Sequence, residues 1–345
     1  MPLSLKPKIA LCALALTTTL AAQKPAATPR PHPFARQKEL IFAEEVPLIG
    51  LPPGTIPSRL HCTEDGAAFF DSSAESASQT DLASLYRIAP SGQVKGLRRT
   101  LPISVDGPLS VQGFTAGAHT LATLLKIDHP DDAPRAEPHY LLSVSDHEGD
   151  FAKLVTLDLR FTPIRLSIFG TGEFLVLGWD EVNRLPLLTT LKEDGSILRF
   201  LTVGSKEQAE LQKAEFVPWG NDLLLTYPGT TNSIRVLRTS GEDRLIPWFI
   251  PAGYVLHDLL VTGTTYSLLL RVQEPAHPKE QRLFEVSSSN GSLIRELTAD
   301  PERIAAITCA HGSRITAIFK DTIAAKGEKS TPEDVKQWVL GTATR

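Results

Sequence analysis

The sequence predicts an all-β protein that folds as a β-propeller of six four-stranded blades, closed by an N-terminal strand. An apolar hairpin recurs six times along the chain, and a second hairpin follows each of the first five. The turn glycines of the first hairpins are spaced by 51, 55, 48, 43 and 49 residues, which matches the roughly 50-residue repeat of a propeller blade. These glycines are Gly66, Gly117, Gly172, Gly220, Gly263 and Gly312.

The first hairpin of each unit joins two apolar strands through a short turn that contains glycine. The six copies are Arg59–Phe70, Val111–Leu125, Ile164–Leu177, Ala214–Thr226, Val255–Leu270 and Ile304–Phe319. Alternating apolar residues bounded by glycine turns are typical of strands. Each unit therefore begins with a pair of strands.

The second hairpins carry Gly after Asp, Asn or Ser at or near their turns, which is a strong hairpin signal because these turns need positive φ. They are Leu85–Val94, Leu141–Phe151, Leu188–Leu198, Ile234–Leu245 and Leu283–Ile294. Two hairpins per unit make four strands, the content of one blade. A pair of β-sandwiches is the alternative, since their strands also alternate with glycine turns.

The sixth unit lacks a second hairpin of this type. The apolar segment Glu39–Ile49 can supply the missing strand, because closed propellers commonly complete one blade from the other end of the chain. Near the C-terminus, Thr331 followed by Pro332 is typical of a helix start, which would replace or precede the final strand.

The N-terminus reads as a secretory signal over residues 1–22, with Lys6 and Lys8 before an apolar run that ends in Ala21 and Ala22. An uncleaved anchor helix or a buried core helix is the alternative. Residues 23–38 are rich in proline and predict an extended linker, so the propeller domain is expected over 39–345. The protein is thus expected to be exported, periplasmic or extracellular, with no transmembrane segment in the mature chain.

Charge argues against nucleic acid as a partner. The full chain has a net charge of −4, and loss of Lys6 and Lys8 with the signal makes the mature chain more acidic. Phosphate binding needs a concentrated basic surface, and none is visible in the sequence.

A hairpin such as Thr190–Ile197, with its Asp-Gly turn, within a repeat of this length resembles the six-bladed propellers of the TolB-like and NHL-like superfamily in bacterial envelopes. The resemblance spans residues 39–340 and shares no family-specific motif, so it implies a fold and not an activity. Some six-bladed relatives hold a calcium ion in the central channel for lactone hydrolysis, but none of their ligands can be matched to a position here.

Cys62 and Cys309 lie shortly before the first-turn glycines of the first and sixth units. These units become neighbours when the ring closes, so the two cysteines could form a disulfide clasp in an oxidising compartment. The chain-entropy model assigns such a bridge roughly 4 to 5 kcal/mol. Two buried free cysteines are the alternative.

Four histidines, His61, His119, His257 and His311, lie close to first-turn glycines, where blades border the channel. Converging imidazoles and carboxylates would make a calcium or zinc site. Solvated or hydrogen-bonded loop histidines explain the same pattern, and the sequence predicts no cofactor.

Familiar catalytic and phosphate-binding motifs are missing from the sequence. We therefore expect a non-catalytic exported module that binds an envelope protein or a polysaccharide across one face of the propeller. The alternative is a metal-dependent hydrolase of the lactonase kind with its site in the central channel.

Overall fold

The computed structural model describes residues 36–71, 85–97, 109–128, 139–149, 151–201, 210–227, 233–241, 243–248, 252–261, 266–322 and 336–345. The predicted signal segment, the linker up to residue 35, Gly263 and the predicted helix start at Thr331 lie outside these ranges. The first strand begins at Arg36, ahead of Glu39, where the sequence placed the start of the domain.

The regular secondary structure of the described residues is nearly all strand. In chain order the strands are β1 (Arg36–Glu39), β2 (Phe42–Pro47), β3 (Ser58–Cys62), β4 (Ala68–Asp71), β5 (Leu85–Ile88), β6 (Val94–Gly96), β7 (Leu109–Ala116), β8 (Leu121–Ile127), β9 (His139–Ser145), β10 (Phe151–Leu157), β11 (Thr162–Ile168), β12 (Phe174–Asp180), β13 (Leu185–Leu191), β14 (Ile197–Leu201), β15 (Glu215–Trp219), β16 (Asp222–Thr226), β17 (Ser233–Leu237), β18 (Asp243–Pro247), β19 (Val255–Leu259), β20 (Ser267–Glu274), β21 (His277–Ser287), β22 (Leu293–Thr298), β23 (Ile307–His311), β24 (Arg314–Thr322) and β25 (Lys336–Thr344). A 3₁₀ helix, Leu211–Lys213, and an α-helix, α1 (Pro301–Ala306), complete the described elements.

These strands form the six predicted blades of a β-propeller. Blades one to four are the antiparallel sheets β3–β6, β7–β10, β11–β14 and β15–β18, in chain order. Blade five is β19–β22, and blade six is β23, β24, β25 and then β2. The first strands of neighbouring blades contact one another, β3 with β7, β7 with β11, β11 with β15, and β23 with β3. First strands therefore form the inner ring, and the sandwich alternative is excluded.

An apolar cluster fills each gap between neighbouring blades. Between blades one and two it contains Phe69 and Phe114, and between blades two and three Phe161 and Phe174. Corresponding clusters lie between blades three and four, four and five, five and six, and six and one. Burial between sheets, at roughly 25 cal/mol per Å² of apolar surface, thus holds the ring together gap by gap.

The N-terminal segment 36–49 is a strap around the outside of three blades. Strand β2 pairs antiparallel with β25 as the outer strand of blade six, which confirms the predicted closure. Ahead of it, β1 pairs parallel with β22 at the outer edge of blade five. After it, Ile49 makes a parallel bridge to Gln93 beside β6 of blade one. The strap therefore bridges the two gaps that flank the last blade.

Two leucines of the strap point into those gaps. Leu40, 4% exposed, belongs to the cluster between blades five and six. Leu48, also 4% exposed, belongs to the cluster between blades six and one. Their backbone amides donate to the carbonyl oxygens of Thr298 and Trp338, each at 2.8 Å. The strap thus contributes side chains as well as a strand to closure.

The sequence predicts that the sixth repeat begins with a strand at Ile304. In the structure, residues 304–306 belong instead to α1. The side chain of Asp300 caps α1 by accepting from the amide of Glu302 at 2.9 Å, ahead of Pro301 at the first helical position. At the other end, Nη1 of the buried Arg271 donates to the carbonyl oxygens of Ala305 and Ile307 at 2.7 and 2.9 Å. These caps at both ends stabilise the helix. A search for strand and turn patterns does not detect them.

We predict that Leu40→Ala lowers the free energy of unfolding by about 2 to 4 kcal/mol, because it empties part of the gap beside the last blade. Ile41→Ala is the matched control: Ile41 is 70% exposed, so its truncation should change stability by less than about 0.5 kcal/mol. Urea unfolding monitored by tryptophan fluorescence measures both. Equal effects of the two substitutions would mean that the strap does not seal this gap.

Candidate functional site at the seam between blades one and six

The seam where the ring closes is covalently joined at its inner edge. Cys62, at the end of β3, and Cys309, in β23, form a disulfide with their Cα atoms 6.1 Å apart. This is one of the two arrangements that the sequence left open for these cysteines. The bridge connects residues 247 positions apart, and it joins the first strand of blade one to the first strand of blade six.

A cleft of about 110 Å³ lies at this seam. Its walls come from the first turn of blade one, with Thr63, Glu64, Asp65 and Gly66, and from His311, Arg314 and Thr316 of blade six, and the disulfide also lines it. The first turns of blades three and four are packed differently, since a Cβ on Gly170 would lie 2.1 Å from the carbonyl oxygen of Gly220. Backbones touch there, whereas side chains frame an opening at the seam.

Arg314 is the cation of this cleft. A Cβ on Gly66 would lie 3.3 Å from its Nη1 atom, so the absence of a side chain at Gly66 makes room for the guanidinium. Its Nη2 atom contacts the hydroxyl of Thr342 at 3.4 Å. Within the described ranges no carboxylate forms an ion pair with Arg314, and its buried Nε has no hydrogen-bond partner. The guanidinium therefore keeps donors to spare.

Asp65, on the opposite wall, is already engaged. Its Oδ1 atom accepts from the hydroxyl of Thr63 at 2.5 Å and from the amide of Ala67 at 3.2 Å. Partial burial raises the pKa of Asp65, but these hydrogen bonds outweigh burial and hold its pKa below the usual range. Asp65 thus remains ionised and fixes the shape of the first turn.

First and third turns lie on one face of the propeller, which we call the first-turn face. A Cβ on Gly66 would lie 3.6 Å from Pro90 in the third turn of blade one. In blade two, the third-turn His147 lies 3.0 Å through Nε2 from the carbonyl oxygen of Gly117 in the first turn. Exposed charge surrounds these turns.

A charge network on this face links blades one and two. Glu148, in the third turn of blade two, accepts from Nη1 of Arg87 at 2.7 Å and from Nζ of Lys95 at 3.1 Å. Nη2 of Arg87 also lies 3.8 Å from Oδ2 of Asp65. The seam cleft and the network therefore share one residue and one face.

The four candidate histidines do not converge. His61, in β3, packs its ring 4.5 Å from that of Phe114 between blades one and two. His119 is exposed in the first turn of blade two. His257, in blade five, lies 3.0 Å through Nδ1 from Oδ2 of Asp258, and His311 lines the seam cleft.

Across the parts of the chain that are described, no group of three His, Cys, Asp or Glu side chains is arranged to hold a metal ion. Asp258, the carboxylate beside His257, is instead bound to the guanidinium of Arg271. Burial raises the pKa of Asp258, but the adjacent His257 side chain and the hydrogen bond and charge of Arg271 lower it to about 2. This carboxylate anchors the arginine that caps α1.

The sequence identifies Cys62, Cys309 and His311 as candidate site residues but does not identify Arg314. One signal was available: Arg314 follows Gly312 by two residues in the first turn of the last blade, opposite Gly66 after closure. Other strands of this chain also carry arginine, however. Only the folded ring reveals that Arg314 lines a cleft without an ion-pair partner among the described residues.

Comparisons with known proteins support the fold. No protein-family model matches the chain, and no curated protein matches it in sequence. Among solved structures, a candidate exported protein from Bacteroides fragilis matches with a TM-score of 0.50 and 10% identity, over 90% of this chain and 99% of that one.

Two further structures match less closely. A protein of unknown function from Dyadobacter fermentans has a TM-score of 0.49 and 8% identity, over 89% of this chain and 99% of that one. Virginiamycin B lyase from Staphylococcus aureus has a TM-score of 0.43 and 13% identity, over 88% and 99%. At these identities the comparisons concern architecture alone.

We predict that replacing both seam cysteines, Cys62→Ser with Cys309→Ser, lowers the free energy of unfolding by on the order of 5 kcal/mol, because the bridge closes a very long loop. Reducing the unaltered protein should have the same effect in denaturant titrations. Mass spectrometry of an unreduced digest should find the two cysteine peptides linked. Separate peptides with free thiols would show that the seam is held without a covalent bond.

A second prediction concerns His61, whose pKa burial lowers from 6.5 to about 4. As pH falls from 6.5 towards 4, the unfolded chain binds a proton that the folded chain does not, so stability falls by up to about 3 kcal/mol across this window. His61→Phe keeps a ring beside Phe114 and should remove this part of the pH dependence.

Denaturant midpoints between pH 7 and pH 4 measure how the stability of wild type and of the variant depends on pH. Carboxylates are common to both proteins, so their contribution cancels in the difference. Val182→Ala, at a position that is 89% exposed and carries no titratable group, should leave the profile unchanged. If His61→Phe and wild type lose stability in parallel, the imidazole is not held neutral by burial.

Proposed function

We propose that this protein is an exported, non-catalytic binding module that holds a partner across its first-turn face. The observation that carries the proposal is the seam cleft. It contains the Arg314 guanidinium, which has hydrogen-bond donors to spare, and it lies on the face that also carries the charge network between blades one and two. Export is supported by the signal-like sequence of residues 1–22 and by the seam disulfide, since such bridges persist in oxidising compartments.

The first-turn face is preorganised for binding. The first turn of blade one is stabilised by hydrogen bonds from Thr63 and Ala67 to Asp65, and His147 joins two turns of blade two. Ordering such turns at the moment of binding would cost conformational entropy, so groups that are already fixed favour affinity. The polar groups of this face suit recognition of a polar surface on a protein or polymer.

The described residues contain no helix long and apolar enough to cross a membrane. We look for the partner's contact among exposed side chains of the first and third turns.

Site-specific photo-crosslinking tests the proposal. A photoreactive phenylalanine analogue at His119, on the first-turn face, should crosslink a defined partner in extracts of the source cell envelope. The same analogue at Val182, 89% exposed in the second turn of blade three, should crosslink little, because second turns lie on the opposite face. Crosslinking that is equal at both positions, or absent at His119, would contradict the proposal.

Metal dependence separates this function from a lactonase-like hydrolase. With chelator, the melting temperature and the crosslinking yield should stay unchanged, since only a ligand that binds the folded state raises stability. A stoichiometric calcium or zinc ion whose removal lowers the melting temperature, together with hydrolysis of lactones, would replace the binding module by the hydrolase.

A further inference from the structure

We propose that the seam cleft receives one carboxylate group from a protein partner, and that Arg314 is the residue that binds it. This inference rests on the proposed function and names the chemistry of the partner. The cleft, the state of Arg314 and the charge around the rim each contribute to it.

The guanidinium of Arg314 needs acceptors that the described part of the protein does not provide. Among the described residues its buried Nε has no hydrogen-bond partner, and the one polar side chain that it contacts there, Thr342, is 3.4 Å away. A guanidinium presents five donors in a planar fork that matches a carboxylate in a bidentate pair. Thr316 lines the same cleft, and its hydroxyl can donate to an entering anion.

The size of the cleft limits what can enter. About 110 Å³ is room for several water-sized groups, since roughly 10 to 15 Å³ of such volume holds one water. Sites that enclose a complete small ligand are larger, about 300 to 1,000 Å³. A carboxylate with a short aliphatic stem fits, as in an acidic side chain or the last residue of a chain.

Charge argues that the carboxylate comes from a protein and not from an acidic polysaccharide. The chain has a net charge of −4, and exposed Glu64 and Asp65 stand at the rim. A polyanion would be repelled as it approached this surface. A peptide that offers one carboxylate beside neutral or basic residues avoids the repulsion, and a basic neighbour would face Glu64.

The disulfide keeps the two walls at a constant separation. Cys62 adjoins the first turn of blade one, and Cys309 lies in the strand that pairs with the strand of Arg314. The acceptor therefore meets a cleft whose width is covalently set, which reduces the cost of ordering on binding.

Small probes test the chemistry on the full folded domain. We expect N-acetyl-glutamate α-amide, a side-chain mimic, or N-acetyl-glycine, a chain-end mimic, to bind with a dissociation constant on the order of 1 mM in ligand-observed NMR. The two probes distinguish a side chain from a C-terminus as the source. The neutral amides of both should bind about tenfold more weakly or worse, because the charge-assisted hydrogen bonds are lost.

Substitutions assign the site. Arg314→Gln should abolish the preference for acid over amide, and Arg314→Lys should weaken it, because lysine keeps the charge but loses the fork. Arg244→Gln, at an exposed arginine on β18, is the matched control and should bind as wild type. Thermal unfolding of each variant confirms that the fold is intact.

Three results would overturn the inference: no binding of either acid, equal binding of acid and amide, or unchanged binding by Arg314→Gln. Tighter binding of glucuronate than of both amino-acid probes would overturn the assignment to a protein partner. These outcomes are separate from failure of the proposed function: crosslinking at His119 that persists in Arg314→Gln would keep the binding face and remove only the carboxylate site.

Discussion

Closure of the ring at blade six is the constraint on which the rest of the structure depends. In every other blade the four strands that make up the blade are consecutive in the chain, but the last blade needs a strand from the far end of the sequence. Bringing the two ends together has a loop-closure cost that local hairpins avoid. The strap, its leucines Leu40 and Leu48, and the seam disulfide offset that cost at the outer edge, in the gaps and at the inner edge.

The candidate site is a by-product of the same closure. At the gap between blades three and four the first turns meet backbone to backbone at Gly170 and Gly220. At the seam a disulfide and long side chains replace that contact, and an opening is left between them. The guanidinium of Arg314 lies close beside Gly66, where a Cβ would be 3.3 Å from its Nη1 atom. The cleft thus forms between two complete blades, and neither sheet is interrupted to make it.

Some polar groups inside the ring resemble catalytic residues by type and by pKa, but the contacts that they make are structural. His61 is a neutral ring packed on Phe114, and Asp258 balances the arginine that caps α1. Perturbed pKa values accompany functional sites often, yet ion pairs that join elements perturb them as well. The cleft differs from these places because its cation has no carboxylate partner among the described residues.

What the sequence by itself determined is the local pattern. Alternating apolar residues and glycine turns establish strands, hairpins and a six-fold repeat, because strand formation and turn geometry depend on nearest neighbours. Closure by segment 39–49 and the pairing option for Cys62 and Cys309 followed from counting repeats around a ring. Tertiary structure alone decided that residues 304–306 turn into a helix, that the histidines stand apart, and that Arg314 faces a cleft. Those outcomes depend on contacts between blades, and such contacts join residues that are distant in the sequence and leave no periodic trace in it.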